Sequence, residues 1–381
     1  MCKKLMPAIR ILVIASVGAI GGAEILSAQS TTRASVDSQG GQGNYESILA
    51  AVSANGRFVA FTSLASTLVP GDTNDTADTF VHDMETGETT RVSVDSYGRQ
   101  ADDGSDIYYP PSISADGRFV AFASHATNLV PGDTNERLDI FVHDRQNGET
   151  TRVSVDSQGG QSNQYSLQPS ISADGRLVAF ESAASNLVSG DTNNSDDVFV
   201  HDRETGETTR VSVSSQGNQG NSYSVTPALS ADGRFVAFGS EASNLIPDDT
   251  NGHQDIFVHD CSTGETARAS VSSLGEEANL DCVWPSISQD GRLVCFSSGA
   301  NNLVPNDTNW FDVFVHDRET GETTRVSVSS RGEQADGTSD YPAISADGQI
   351  VVFESNSSNL VPSANEWMQV STTAARARRR A

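Results

Sequence analysis

The chain has 381 residues and a formal net charge of −26 at pH 7, with 50 Asp and Glu against 24 Lys and Arg. A surface this acidic repels phosphate backbones, so we expect no nucleic-acid partner. Length alone would suggest two or three domains. A repeat runs along most of the chain, however, and predicts a single repeat domain in which neighbouring units share one core.

The N-terminus resembles an export signal. Basic residues within the first ten positions precede an apolar run over residues 11–23, and a small-residue cleavage site follows at Leu26–Ala28. The apolar run is too short to span a membrane, so the pattern predicts a secretory signal peptide over residues 1–28. We therefore expect a secreted or periplasmic protein without a transmembrane anchor.

One sequence unit recurs six times after this segment. A clear copy starts at Pro111 and reads PSISADGRFVAFASHATNLVPGDTNERLDIFVHDRQNGETTRVSVDSQG. Equivalent turn residues lie 61, 58, 58, 58 and 57 positions apart, at Asn55, Asp116, Asp174, Asp232, Asp290 and Asp347. A fixed period of this kind is typical of a repeat architecture with one supersecondary unit per period.

Each unit contains four short runs rich in Val, Ile, Phe and Thr, which we label strands a to d. In the second unit they cover residues 111–114, 118–124, 139–143 and 150–155. Strand b is apolar on consecutive positions, which is typical of a strand buried on both faces. Radial packing of four-stranded units makes a β-propeller, so we predict an all-β, six-bladed propeller over residues 29–362.

The connections predict two different faces. Strands a and b, and strands c and d, join through tight turns in which Asp caps the turn and Gly supplies a positive φ. The b–c and d–a connections are longer and fall together on the opposite face. Long loops in a compact domain are often functional, so we expect any ligand on that long-loop face.

The sixth unit is divided between the two ends of the chain. Thr31–Val36 repeats strand d, whereas Tyr341–Ser345 and Gln349–Ser355 supply strands a and b. We therefore expect the N-terminal strand to close the sixth blade and to remove free sheet edges.

The repeat stops after Pro362. Strand c of the sixth blade is therefore predicted to be missing, or replaced by Trp367–Thr372. Residues 363–381 form an atypical tail rich in Arg and Ala. The composition and terminal position of this tail favour disorder.

An Asp-Thr-Asn segment followed by another Asp recurs in the b–c loops. Alternating oxygen-bearing side chains suit Ca²⁺, the only cofactor that the sequence suggests, although the spacing lacks the Gly and Glu of an EF-hand. The alternative is that these side chains hydrogen-bond to nearby backbone and hold the loop in shape. The candidate ligands are Asp72, Asn74, Asp78, Asp133, Asn135, Asp139, Asp191, Asn193, Asp197, Asp249, Asn251, Asp255, Asp307, Asn309 and Asp312.

A His-Asp pair ends strand c in five units. Such a pair invites a catalytic or zinc interpretation, but it recurs once per unit on the tight-turn face with no nucleophile or second ligand nearby in sequence. A structural role is therefore favoured. The histidines are His82, His143, His201, His259 and His316.

Three cysteines follow the predicted signal peptide: Cys261, Cys282 and Cys295. An odd number cannot form a complete disulfide framework, and Cys295 takes a position that is Ala in other units. It therefore resembles a small core residue. A Cys282–Cys295 bridge remains the alternative.

The d–a loops combine amides with aromatic residues near strand a. Rings and amides together suit sugars or extended peptides, but the same rings could also pack at the mouth of the channel. The residues are Gln42, Asn44, Tyr45, Tyr108, Tyr109, Gln161, Asn163, Tyr165, Gln219, Asn221, Tyr223, Trp284 and Tyr341.

The segments SADGRxVAFxS and DIFVHD carry a family resemblance. The repeat resembles the WD40-like repeat called PD40, found in the propeller of TolB and related exported bacterial proteins. The resemblance covers nearly the whole predicted mature chain. It implies a six-bladed propeller with an interaction role in the cell envelope or outside the cell.

The sequence favours a non-enzymatic binding scaffold. Its long-loop face would engage an envelope or extracellular protein, or a glycan. The alternative is a secreted hydrolase or lyase of polysaccharides, with carboxylates around the central channel. No Gly-x-Ser-x-Gly elbow, His-Glu-x-x-His or P-loop occurs, so the sequence assigns neither catalytic nor cofactor-binding residues.

Overall fold

A computed structural model describes residues 32–308 and 311–360 and the backbone of residues 375–376. These residues form 23 β-strands. Blade 1 contains β1 (Ser47–Val52), β2 (Phe58–Ser63), β3 (Asp78–Asp83) and β4 (Thr89–Arg91). Blade 2 contains β5 (Ser112–Ile113), β6 (Phe119–Ser124), β7 (Asp139–Asp144) and β8 (Thr150–Arg152). Blade 3 contains β9 (Ser166–Ile171), β10 (Leu177–Ser182), β11 (Asp197–Asp202) and β12 (Thr208–Arg210).

The later blades repeat this order. Blade 4 contains β13 (Ser224–Leu229), β14 (Phe235–Ser240), β15 (Asp255–Asp260) and β16 (Glu265–Arg268). Blade 5 contains β17 (Cys282–Ile287), β18 (Leu293–Ser298), β19 (Asp312–Asp317) and β20 (Glu322–Arg325). Blade 6 contains β21 (Ser339–Ile344), β22 (Ile350–Ser355) and β23 (Ala375–Arg376).

Each blade is an antiparallel meander whose strands are hydrogen-bonded in sequence order. Five sheets have four strands and blade 6 has three. From blade 1 to blade 6, strand a of each blade contacts strand a of the blade that follows it in sequence, so these strands form the inner edge of the ring. The predicted all-β propeller is confirmed.

The core lies between blades, as the apolar strand b predicted. Strand b and strand c each place a buried Phe in register, as in the pair Phe180–Phe199, whose ring centroids are 5.9 Å apart. Residues of blades 2 and 3 share one buried cluster that includes Val142 and Val178. The sheets of blades 2 to 5 are therefore apolar on both faces, because a neighbouring blade covers each face.

Hydrogen bonds also join consecutive blades at regular positions. The Thr150 hydroxyl of strand d in blade 2 donates to the carbonyl of Val94, which follows strand d of blade 1, at 2.5 Å. Thr89 makes the same contact to the carbonyl of Val36. The segment from Val36 therefore takes the place in the ring that the chain takes after strand d in the other units.

Blade 6 closes differently from the prediction in the part of the chain that the structure describes. Residues 32–35 lie in no strand, and Thr31 is outside the described residues. The third strand is instead β23, whose Ala375 pairs with Val351 of β22, in the position of strand c. This strand lies within the predicted tail. The predicted replacement at Trp367–Thr372 is outside the described residues, as is the predicted signal peptide.

The three described cysteines are free thiols, and both Cys282 and Cys295 are buried. Cys282 Sγ lies 3.3 Å from the hydroxyl of Ser298, and Cys295 pairs in register with Ser286. The alternative of a Cys282–Cys295 bridge is therefore wrong, whereas the interpretation of Cys295 as a core residue holds. No helix in the described part of the chain has the length and apolar character needed to cross a membrane.

Candidate functional site at the inner mouth of the long-loop face

The Asp-Thr-Asn segments meet an arginine from strand d. In blade 1, Arg91 Nη1 lies 3.4 Å from Asp72 Oδ1 and 3.3 Å from Asp78 Oδ2. Asn74 donates to Asp78 Oδ2 and to the carbonyl of Ala101. A guanidinium therefore lies between the two carboxylates, and the Asn bridges the loop to the next segment.

The same arrangement recurs in the next four blades. Arg152 contacts Asp133 and Asp139, Arg210 contacts Asp191 and Asp197, Arg268 contacts Asp249 and Asp255, and Arg325 contacts Asp307 and Asp312. Asn135, Asn193 and Asn251 bridge as Asn74 does, whereas Asn309 is outside the described residues. In this geometry, an arginine side chain supplies a positive charge beside each carboxylate pair. Binding of Ca²⁺ at these residues stays an untested hypothesis.

The five His-Asp pairs have a structural role. His143 Nδ1 lies 2.9 Å from the hydroxyl of Thr150, and Asp144 instead accepts from Arg118 at 2.6 Å. Because the Thr150 hydroxyl already donates to the Val94 carbonyl, Nδ1 of His143 must be the donor to Thr150. Burial lowers the pKa of His143 to about 4, so the ring is neutral.

A different set of residues carries the variation between blades. Three positions meet beneath the long loops: the third residue of strand a, the fifth residue of strand b, and the residue before strand c. We call these positions the inner layer. In blade 4 they are Thr226, Gly239 and Gln254. A Cβ on Gly239 would lie 2.3 Å from Gln254 Nε2 and 3.4 Å from Thr226 Oγ1, so the three positions are in contact.

The chemistry of the inner layer changes from blade to blade. In blade 1 the layer is apolar or small, with Leu49, Thr62 and Ala77, and in blade 3 it is largely charged, with Gln168, Glu181 and Asp196. In blade 4 it is polar, and in blade 5 it is largely aromatic, with Trp284, Ser297 and Phe311. Blade 6 contributes Tyr341 and Glu354. In a repeat protein, a position varies freely between units only where packing does not dictate its residue. The residues of the inner layer vary in this way, whereas the framework residues around them recur.

Backbone strain recurs at the strand a position of the layer. Each of these residues lies in a β-bulge with a positive φ, for example +52° at Gln168 and +56° at Thr226. A β-branched residue such as Thr is strongly disfavoured there. Strain of this kind persists only where the surrounding structure holds it, and it is enriched at functional sites.

Glu181 is the centre of the charged part of the layer. Its side chain is 4% exposed, and its Oε2 accepts a hydrogen bond from the Thr226 backbone N–H at 2.9 Å. Burial, with a smaller contribution from the nearby carboxylates of Asp196 and Asp106, raises the pKa of Glu181 to about 7, although the hydrogen bond from Thr226 opposes the shift. This carboxyl group can therefore exchange a proton near neutral pH.

Blade 2 adds a loop to this cluster. Ser105 and Ser112 are seven positions apart, whereas the corresponding Ser166 and Ser170 are four apart, so blade 2 carries three additional residues here. Asp106 in this loop accepts from the backbone N–H of Tyr109 at 3.0 Å. The insertion explains why the first repeat interval is longer than the others.

Phenols surround the carboxylates. Burial, and then the charges of Glu181, Asp106, Asp196 and Tyr341, raise the pKa of Tyr109. Burial and a hydrogen bond to Asp196 raise the pKa of Tyr165 to about 12. Side chains from blades 2, 3 and 6 therefore all influence the pKa of Tyr109, so they lie around one common opening, the mouth of the long-loop face.

The aromatic residues predicted in the d–a loops lie in different surroundings. Trp284 and Tyr341 are in contact across blades 5 and 6, with ring centroids 4.9 Å apart. Tyr109 and Tyr165 belong to the charged cluster. Tyr108 is instead 76% exposed.

Sequence reasoning missed Glu181, Asp196 and Asp106. The available signal was a comparison of the repeats position by position. The fifth residue of strand b is Thr, Ala, Glu, Gly, Ser and Glu in blades 1 to 6. In residues 32–308 and 311–360, no group of three or more His, Cys, Asp or Glu side chains is placed to hold a metal ion.

Similar folds occur among solved structures. An oligogalacturonate lyase in complex with manganese is 16% identical, with a TM-score of 0.51, over 83% of this chain and 74% of that chain. A prolyl endopeptidase is 12% identical, with a TM-score of 0.51, over 82% of this chain and 40% of that chain. TolB from Acinetobacter baumannii is 17% identical, with a TM-score of 0.43, over 74% of this chain and 57% of that chain.

These similarities extend to the propeller fold alone, because the identities are low and one fold serves many functions. This chain spans little more than half the length of TolB. No protein-family model matches the sequence, and no curated protein matches it either. The resemblance to PD40 therefore stays a prediction from the repeat motifs.

Proposed function

We propose that this protein is an exported binding scaffold whose ligand, a glycan or a segment of another protein, docks at the inner mouth of the long-loop face. The observation that carries the proposal is the inner layer. Framework residues repeat from blade to blade, whereas Gln168, Glu181 and Asp196 differ from their counterparts and lie together. The N-terminal segment 1–28, with the pattern of a signal peptide, supports export.

The tight-turn face carries framework residues that recur between blades in the part of the chain that the structure describes. Its arginines are committed to framework contacts: Arg118 pairs with Asp144, and Arg145 donates to the carbonyl of Gly117 at 2.7 Å. Equivalent contacts recur in blade 3, through Arg176 and Arg203. Residues that are uniform and internally paired favour a structural role for that face.

The experiment is a binding screen on glycan and envelope-protein arrays with three forms of the protein. They are the wild type, the double variant Glu181→Gln with Tyr165→Phe, and Glu149→Gln. Glu149 is exposed in the c–d turn of blade 2, so it controls for charge on the opposite face. We expect a ligand that the double variant loses and the Glu149 variant retains. Equal loss in both variants, or no ligand in either class, contradicts the proposal.

A second candidate is a secreted enzyme that acts on polysaccharides. The feature that favours it is Glu181, a carboxyl group with a pKa of about 7 beside two phenols, which is suited to general acid-base catalysis. An anionic polyuronate, the kind of substrate named for the lyase of similar fold, is disfavoured because Asp106 and Asp196 would repel it. Release of reducing ends from neutral polysaccharides, abolished by Glu181→Gln, would favour the enzyme.

A further inference from the structure

Two groups of buried or half-buried acids differ in their partners. Framework acids have a guanidinium partner: Asp78 contacts Arg91, and Asp144 contacts Arg118. Asp106, Glu181 and Asp196 form no ion pair with Arg or Lys within the described ranges. Burial raises the pKa of Asp106, and the nearby His125 opposes this effect only in part. The negative charge of Asp106, Glu181 and Asp196 is therefore largely uncompensated by cationic side chains of the protein.

The same cluster contains hydrogen-bond acceptors without donors. Gln168 is 9% exposed, and its Oε1 has no hydrogen-bond partner among the described residues. Asp196 Oδ1 is likewise buried without a partner there. A buried acceptor left unpaired costs about 1–3 kcal/mol, so natural proteins seldom retain one without a reason.

The register directs Gln168 into this cluster. Leu167 pairs with Glu181 across strands β9 and β10, and Gln168 is the bulged residue that follows. In blade 4 the residue at the same bulge, Thr226, packs against the fifth residue of strand b. By this register, Gln168 occupies the position beside Glu181 in the inner layer of blade 3.

We propose that this cluster is a subsite for the protonated amine of an amino sugar within a glycan ligand. The inference rests on the proposed binding function and specifies its ligand class. A primary ammonium carries one positive charge and three donors. It would offset part of the negative charge of Glu181 and Asp196 and donate to Gln168 Oε1.

The surroundings favour a sugar as the carrier of the amine. Tyr109 and Tyr165 lie near the carboxylates, and Trp284 contacts Tyr341 at the same mouth in a tilted arrangement. Aromatic faces suit sugar rings, and they also attract an adjacent cation. The net charge of −26 further draws a cationic ligand toward the protein.

The test compares two tetrasaccharides of the same backbone by isothermal titration calorimetry. One is the β-1,4-linked tetramer of glucosamine. The other is cellotetraose, which carries a hydroxyl in place of each amine. We expect the wild type to prefer the glucosamine tetramer by about tenfold to a hundredfold, because a hydrogen-bonded charged group contributes this much to affinity.

Three variants locate the preference. Glu181→Gln retains an acceptor for the Thr226 N–H, and Asp196→Asn retains an acceptor for Tyr165, so both should fold, as thermal melting would verify. Each should reduce the preference for the amine to less than about threefold. Glu149→Gln on the opposite face should keep the preference of the wild type.

The outcomes separate this inference from the function on which it rests. Equal binding of both tetrasaccharides by the wild type would overturn the amine subsite while leaving a glycan-binding scaffold intact. An amine preference that persists in Glu181→Gln and disappears at high salt would mean attraction to the acidic surface alone, and would also overturn it. Tighter binding of the peptide acetyl-Gly-Lys-Gly-amide at the same residues would overturn the assignment to a sugar.

Discussion

The carboxylate of Glu181 in blade 3 accepts a hydrogen bond from the backbone N–H of Thr226 in blade 4, at 2.9 Å. The donor belongs to a bulged residue with a φ of +56°. A buried acid therefore joins two blades at the point where the inner strand is strained. The titratable carboxyl group of Glu181 is therefore buried inside the ring rather than exposed on its surface.

Substitution of Glu181 by Gln should change how stability depends on pH. Burial raises the pKa of Glu181 from 4.5 to about 7, so the folded state binds more protons than the unfolded state between these values. Wild-type stability from this group therefore falls as the pH rises through that window. At pH 8 the variant should be more stable by about 2–3 kcal/mol, whereas at pH 4 the two should be nearly equal.

Urea unfolding at pH 4, 6 and 8 would measure this difference. Gln retains an acceptor for the Thr226 N–H, so the comparison isolates the charge. Glu149→Gln, at an exposed position, should show no pH-dependent difference from the wild type. Parallel stability profiles for Glu181→Gln and the wild type would show that Glu181 is not desolvated in solution.

The buried histidines should act in the opposite direction. Burial lowers the pKa of His143, His201 and His316 from 6.5 to about 4. Stability from these neutral rings is present above pH 6.5 and is lost as the pH falls toward 4, because the unfolded state then binds more protons. Each histidine should lower the free energy of unfolding by about 2 kcal/mol between pH 7 and pH 5.

This prediction is best checked in the Glu181→Gln background, where the opposing titration is absent. Replacement of His143 by Gln, which can still donate to Thr150, should reduce the change in unfolding free energy between pH 5 and 7 by about 2 kcal/mol, the share of one histidine. An unchanged slope would mean that another group governs acid unfolding.

The arginine of each b–c network should be required for stability. Arg152 Nη1 lies 3.2 Å from Asp133 Oδ1 and 3.5 Å from Asp139 Oδ2, and its side chain is 9% exposed. Replacement by Gln would leave two buried carboxylates without their cation. Removing one partner of a buried ion pair costs about 3–5 kcal/mol. Thermal or urea unfolding of Arg152→Gln would measure the loss.

Thermal unfolding also decides whether Ca²⁺ or arginine is the native cation beside the carboxylate pairs of the b–c loops. Because the guanidinium already lies between the carboxylates, we expect neither Ca²⁺ nor EDTA to change the melting temperature of the wild type. Arg152→Gln could instead gain stability on addition of Ca²⁺, since it exposes two carboxylates and Asn135 to a hard cation. A wild-type melting temperature that rises with Ca²⁺ and falls with EDTA would support the calcium hypothesis.

Most of the ring could be predicted from the sequence because its determinants are local. The turn residues, the doubly apolar strand b and the fixed period are visible within each unit. The observed strand β6, Phe119–Ser124, differs by one residue from the predicted run over 118–124. Repetition strengthened each of these local signals several times over.

The remainder depends on register between distant residues. Arg91 meets Asp72 only because strand d pairs with strand c, and Glu181 reaches Thr226 only because blades 3 and 4 pack face to face. The third strand of blade 6 lies where the repeat has already stopped, so no periodic signal marks Ala375–Arg376. Repetition directed attention to shared residues, whereas the candidate site consists of those that differ.

The packing between blades provides a final prediction, on two glycines with the same backbone conformation. Gly117 and Gly148 have φ values of +77° and +78°. A Cβ on Gly117 would lie 2.1 Å from the Phe58 ring of blade 1, whereas a Cβ on Gly148 would meet nothing within 4 Å. The guanidinium of Arg145 also contacts this ring, 4.6 Å from its centre, which limits the room for the ring to move.

Replacement of each glycine by Ala should therefore separate backbone strain from packing. Gly148→Ala should lower the free energy of unfolding by about 1 kcal/mol, the cost of placing a side chain in the left-handed region. Gly117→Ala should lose an additional 1–3 kcal/mol or so through overpacking against Phe58. Urea unfolding of the two variants gives the difference directly. Equal losses would mean that blades 1 and 2 are not in close contact at this turn.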